Sequence, residues 1–239
     1  MVSDKTFKVY YKQYIEIYRD SDRYRTKMEE LKQCLPSIEG GLMLEAKRYI
    51  DVQHDEVIMD ATERVSETLG LKDSTVQAIR YVMNIYDLGL TQVGYHIIKK
   101  PGDLTPKDRE DVEKHPAIGH KLLSAIETDP RIQDIVLHHH ENYDGTGYPN
   151  KIKGEAIPVE ARIIRIADAL RALVSARPYQ RQYSFKEAAD VIQHRAGSFF
   201  DPRIVKHFVQ VLEELEKEQS ANKSNQVEES EEEETIEPR

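Results

Sequence analysis

Along most of this chain apolar residues recur every three or four positions, the period of a helix with one buried face, while the alternation that marks strands is scarce. Phe7, Tyr11, Tyr14 and Tyr18 begin such a stripe, and Met28, Leu31 and Leu35 continue it. Val57, Ile58, Ala61 and Val65 share one side of a second helix, and Ile163, Ile164, Ile166, Ala167 and Leu170 crowd a later one. Start signals punctuate the pattern. Thr105-Pro106-Lys107-Asp108 reads as an N-cap, a first-turn proline and a capping-box acid, and Ser184 to Glu187 forms a second box. Pro158 and Asp201-Pro202 open two more helices. The pattern predicts helices over 4–34, 42–69, 73–88, 106–127, 131–141, 158–176, 185–195 and 202–218. The expected fold class is all-α, without an internal repeat. Two readings of the first helix stand open: a seam for self-association as a homodimer, or a helix packed back onto its own domain.

Composition changes this picture mainly at the end of the chain. The 239 residues carry a net charge of −9. From Glu213 to Arg239, however, 11 Glu face three basic residues (Lys217, Lys223, Arg239), a net of −8, so the other 212 residues sum to about −1. A near-neutral body offers no field for long nucleic acid. The Ser/Asn/Glu-rich end has too few apolar residues to offset ordering entropy and is expected to be disordered. The expected division is an N-terminal helical segment at 1–40, one domain at 41–218 and an acidic tail at 219–239. No apolar run approaches the ~20 residues that span a bilayer, so no membrane association is expected. The first residues have neither apolar core nor cleavage-like site. The single cysteine, Cys34, excludes a disulfide within the chain and suits a reducing compartment, so a cytoplasmic location is expected.

Candidate chemistry concentrates between His138 and Pro149, where three consecutive histidines and Glu141 precede the glycine-rich Asp144-Gly145-Thr146-Gly147-Tyr148-Pro149. Neutral imidazole is the commonest metal ligand, and glycines let backbone approach a ligand closely. His115 lies on the apolar side of its predicted helix, and His54 on the apolar side of another. Asp87 ends a helix before Gly89, and Asp168 is embedded in an apolar run, where a carboxylate is costly unless a cation compensates it. Any one of these histidines alone reads as a core residue; six candidates on separate helices make a shared site the better reading.

In chain order, these residues and their neighbours resemble the HD-GYP family, a branch of the HD metal-dependent phosphohydrolases. Tyr86-Asp87-Leu88-Gly89-Leu90 occupies the place of that family's His-Asp-Ile-Gly-Lys, and Lys100-Pro101-Gly102-Asp103-Leu104-Thr105 matches the segment that follows. His115-Pro116, His139-His140-Glu141, Gly145-Thr146-Gly147-Tyr148-Pro149, Ala167-Asp168, Arg177-Pro178-Tyr179 and Phe200-Asp201-Pro202 come next in order. The resemblance implies an HD-type helical bundle holding two or more divalent ions, usually iron or manganese, and hydrolysis of cyclic di-GMP to the linear dinucleotide or GMP. It implies that Asp87 is the central residue, bridging two metals. One ion would add His115, His139 and His140; the other would add His54 and Asp168, with metal-held hydroxide as nucleophile. Tyr148, Gly147 and Arg177 would hold the substrate.

The departures are specific. The motif histidine is Tyr86, the motif lysine is Leu90, and Val93-Gly94-Tyr95 replaces the usual Ile-Pro-Asp. Arg171 stands where the family has a second acid after Asp168, and Gln180 replaces a basic residue. Six of seven ligand positions are kept, so the expectation is a phosphodiesterase with a weakened second metal site and reduced activity. The alternative is a degenerate module that binds cyclic di-GMP, or a protein partner through the Gly-Tyr-Pro loop. Arg171, three residues after Asp168, is expected either to pair with it or to be a solvated surface arginine. Glu141 is expected to orient a ligand histidine, His138 to pack or face solvent, and His96, His194 and His207 to lie on the surface.

Overall fold

The computed structural model describes residues 55–93, 97, 100, 102–126, 128–175 and 182–234, with side chains in the last helix described as far as 218. Eight α-helices run in chain order among them: α1 (Asp55–Thr68), α2 (Asp73–Val82), α3 (Pro106–Val112), α4 (His115–Ala125), α5 (Pro130–His138), α6 (Val159–Val174), α7 (Phe185–His194) and α8 (Pro202–Glu234). Two short 3-10 turns, Leu88–Gln92 and Gly154–Ala156, join them. No strand forms among the described residues, only a single bridge between Ala196 and Phe200. The all-α expectation therefore holds there. None of the described helices is long and apolar enough to cross a membrane. The predicted first helix, with Cys34, lies outside the described residues.

Helix α6 is the centre of the bundle. It packs against α1, α2, α5, α7 and α8, and Ala161, Ile163, Ile164, Ile166, Ala167, Leu170 and Val174 are all buried. An apolar stripe of Ile58, Ala61 and Val65 presses α1 into this core, and Phe208 and Leu212 do the same from α8. Burial all round a helix leaves little room for polar side chains, so the charged residues that α6 carries inward need partners. At one end of the helix, Arg162 donates to Asp201 across 2.5 Å, tying α6 to the start of α8.

Three boundaries differ from the expected helices. The segment at 73–88 stops being helical after Val82 and turns irregularly toward Leu88. The span 106–127 divides into α3 and α4, because Pro116 lacks an N–H and its ring conflicts with a continuous helix. The last helix runs on to Glu234, past 218 and through most of the tail expected to be disordered. That tail contains no Gly or Pro before Pro238 and is rich in Glu, a residue of high helix propensity.

Candidate metal centre

Asp87 is positioned by the irregular stretch after α2. Its φ of −86° and ψ of 9° fall in the bridge region, where active-site residues often sit. Gly89 then brings the 3-10 turn onto the start of α4. A Cβ at Gly89 would lie 1.9 Å from the His115 carbonyl oxygen and 2.8 Å from the Gly119 nitrogen. Only glycine permits this approach, and the approach brings Asp87 to His115. His115 is the first residue of α4, behind the proline-enforced break. His139 caps the C-terminal end of α5 and His140 follows it. Four donors thus come from element ends, where side chains can converge without one helix blocking another.

Asp87, His115, His139 and His140 place their ligand atoms all within 4.8 Å of one another. Hydrogen bonding fixes two of the rings. His115 Nδ1 is 2.7 Å from the Val112 carbonyl, and His139 Nδ1 is 2.6 Å from the Val136 carbonyl. A carbonyl only accepts, so each Nδ1 carries a proton, and in the neutral form of either ring the Nε2 lone pair is left to bind. Those two nitrogens face each other at 3.1 Å, and Asp87 Oδ1 lies 3.3 Å from one and 3.9 Å from the other. Burial first, and the neighbouring His115 next, hold His139 down at about 3. Burial and its histidine neighbours likewise push His140 well below the ordinary imidazole value. Burial raises the Asp87 carboxyl, but the hydrogen bond and charge of His115, with His139 and Arg171, outweigh it and hold Asp87 below the usual carboxylate value.

Two ring nitrogens this close either share a proton or take a cation between them. Metal–imidazole bonds of about 2.1 Å separate the ligand atoms of one ion by about 3 to 4 Å, the spacing seen here. The donor set fits a divalent transition metal, because imidazoles with a carboxylate suit zinc, iron and related ions.

The other side of the centre is built differently. Tyr86, fully buried, donates its phenol O–H to Asp168 Oδ1 across 3.1 Å. The Arg171 guanidinium donates to the same phenol oxygen and lies 5.3 Å from the Tyr86 ring centroid. Arg171 is 6% exposed, which excludes the solvated-surface reading; it meets Asp168 through Tyr86. Burial, then the charges of Asp168 and Asp87, push the Tyr86 phenol well above its ordinary value, so it stays protonated. Asp168 is pushed up by burial and then by Asp87. Its Oδ2 lies 3.9 Å from His140 Nδ1 and 4.0 Å from an Arg165 nitrogen. Arg165 also donates to Asn142 Oδ1 at 3.2 Å and lies over the rings of Phe199 and Phe200. Sequence reasoning missed Arg165, although it stands three residues before Asp168 as Arg171 stands three after.

The remaining candidates divide. Tyr148 stacks on His140, with ring centroids 4.9 Å apart and planes 28° from parallel, at the edge of the donor group. Gly147 is explained by close packing within its own loop, since a Cβ there would lie 2.2 Å from the Asn142 nitrogen. Glu141 does not hold a ligand histidine by any hydrogen bond seen; its buried carboxylate accepts from the Asn150 backbone at 2.7 Å and anchors the loop. The ligand rings are oriented instead by the Val112 and Val136 carbonyls. His138 is a packing residue, buried between the Asp134 carbonyl and Asn150. Leu90 is buried with Val93 and Ile97 against Leu104 and Val112, so the position of the motif lysine serves a small apolar cluster under the His115 anchor. His54, Arg177 and His96 lie outside the described residues.

Comparison with known proteins fits this arrangement. Residues 41–204 match the family model for the HD domain. The chain is 39% identical over 155 residues to the cyclic di-GMP phosphodiesterase response regulator RpfG of Xanthomonas campestris, covering 64% of this chain and 41% of that one. It is 32% identical over 166 residues to a cyclic di-GMP phosphodiesterase of Thermotoga maritima, covering 68% and 45%. The chain thus spans less than half the length of these relatives. In fold it is similar to Bd1817, an HDG"Y"P protein from Bdellovibrio bacteriovorus, with a TM-score of 0.57 at 17% identity over 84% of this chain and 68% of that one.

Proposed function

The chain belongs to the HD domain family, and from that premise we propose that it is a metal-dependent phosphodiesterase of a cyclic purine dinucleotide, with cyclic di-GMP the expected substrate. The observation that carries the reading is the convergence of Asp87, His115, His139 and His140, with two imidazole Nε2 atoms 3.1 Å apart and a carboxylate oxygen 3.3 Å from one of them. A divalent ion held by Asp87, His115, His139 and His140 supplies Lewis acidity that makes water nucleophilic near neutral pH and offsets charge on a phosphodiester.

The chain's own groups supply position and charge. Tyr148, half-buried and stacked on His140, offers a ring face to a purine and an O–H to a phosphate oxygen. Arg165 is held by Asn142 and two aromatic rings, and its charge reaches Tyr148, His139 and His140. A guanidinium so fixed suits a phosphodiester oxygen. Arg177 remains a further candidate for the same anion. The ligand rings keep their lone pairs inward because Val112 and Val136 hold their other nitrogens.

The test is anaerobic loading with iron(II) or manganese(II) followed by chromatography of cyclic di-GMP incubated with the protein. Conversion to the linear dinucleotide or GMP, abolished by chelation and by His139→Ala, supports the enzyme. Metal bound with the dinucleotide unchanged would instead favour a binding module working through the Gly-Tyr-Pro loop. The buried Tyr86–Arg171 contact beside Asp168 is the observation that keeps this second reading in play.

A further inference from the structure

The two departures at Tyr86 and Arg171 are 85 positions apart in the chain and in direct contact in the fold. Beside them stand two half-buried carboxylates, Asp87 within the four-donor group and Asp168 outside it. Two such carboxylates each need a positive partner or hydrogen-bond donors to offset lost solvation. The four-donor group accounts for one, around Asp87. Around Asp168 the positive charge belongs to the chain: Arg171 donates to the Tyr86 oxygen, whose proton is given to Asp168 Oδ1, and Arg165 stands 4.0 Å from Oδ2. An ion at Asp168 Oδ1 would have to displace the phenol proton and sit beside a buried guanidinium. Among the described residues Asp168 lies outside the four donors that come within 4.8 Å of one another.

We infer that Arg171, relayed through Tyr86, takes the place of a second metal ion, so that the centre holds one ion and one built-in guanidinium. Asp168 is then a partner of the Tyr86–Arg171 pair and not a ligand. This rests on the metal-centre reading above but adds to it, because it concerns how many ions the site takes and which carboxylate holds none.

The test begins with the native sequence. Elemental analysis after anaerobic manganese(II) loading and desalting should give one ion per folded chain, with the electron paramagnetic resonance spectrum of an isolated manganese(II). Asp168→Asn, whose amide oxygen can still accept from Tyr86, should keep that stoichiometry and bind manganese within about threefold of native. Tyr86→His with Arg171→Asp should raise the count toward two. If that pair does not fold, the native and Asp168→Asn measurements decide alone. Two ions per native chain with an exchange-coupled spectrum, or loss of the ion on Asp168→Asn, overturns the inference and leaves the phosphodiesterase reading standing if turnover is present. No bound ion and no turnover overturns both.

Discussion

The two halves of the centre meet the same electrostatic demand by opposite means. Around Asp87, three imidazoles converge within 4.8 Å of its carboxylate and of one another, an arrangement suited to a bound cation. Around Asp168, a guanidinium and a phenol proton already meet that need. The first half depends on something the chain must bind; the second is complete on folding. The difference shows that ligand count alone does not describe a metal site. A kept carboxylate such as Asp168 changes its role when its neighbours bring their own charge.

The largest effect is expected where the comparison is sharpest. His139→Ala removes a fully buried donor whose Nδ1 is already committed to Val136. Turnover should fall about 1,000-fold, as when one preorganised stabilising group is lost, and calorimetric metal affinity by at least about 100-fold. A His139→Ala protein binding manganese as tightly as native would remove His139 from the centre. Arg171→Leu attacks the other half. It removes the guanidinium from which Tyr86 accepts, leaving Arg165 as the cation near Asp168, and should cost about 1–3 kcal/mol of stability in denaturant titration, the scale for stranding a buried hydrogen-bonding group. Tyr86→Phe should leave the manganese count unchanged, where a tyrosinate ligand would lose metal.

Gly89→Ala tests whether the halves are held in register by the 3-10 turn. Its Cβ would meet the His115 carbonyl at 1.9 Å, so the turn must shift. Overpacking of this kind typically costs about 1–3 kcal/mol. Metal affinity should fall with it, because Asp87 and His115 separate. Tyr148→Ala should weaken substrate use about tenfold, the loss of roughly 1.4 kcal/mol expected for a stacked aromatic, with metal content unchanged.

The smallest effect lies away from the centre, in the α3 cap. Hydrogen bonds from Lys100 and Thr105 hold Asp108 down at about 2 from its ordinary 3.8. A depressed carboxylate stabilises the fold above the unfolded value and ceases to do so as pH falls through the folded value. The contribution should therefore be present above about pH 4 and fade between there and about pH 2. Asp108→Asn should flatten only that part of a thermal-stability profile, leaving metal binding at pH 7 untouched.

Much of the first half was legible in the sequence, and little of the second. His115, His139, His140 and Asp87 announce themselves because imidazoles beside apolar stripes are uncommon and their motifs occur in order. The capping boxes at Thr105 and Ser184 form as their spacing predicts. The relay at Tyr86 was not visible, because a phenol donating to one residue and accepting from another is a property of geometry across 85 positions. Arg171 next to Asp168 could be read as a pair or as surface, since spacing along a helix does not say how deeply that helix is buried. Glu141 was misjudged for a similar reason. Adjacency to a ligand histidine suggested a bond to it, whereas the loop turns back and offers the Asn150 N–H instead. Leu90 also changes meaning. Restoring a lysine there would drive an ammonium into the cluster with Val93 and Ile97, so that substitution tests packing as much as phosphate binding.

The central claim, one bound ion beside one built-in cation, is tested most directly by anomalous scattering from crystals of manganese-loaded protein. A single peak among Asp87, His115, His139 and His140, with Tyr86 and Arg171 in contact beside Asp168, is the predicted map. A second peak of comparable height within bonding distance of Asp168 would contradict it.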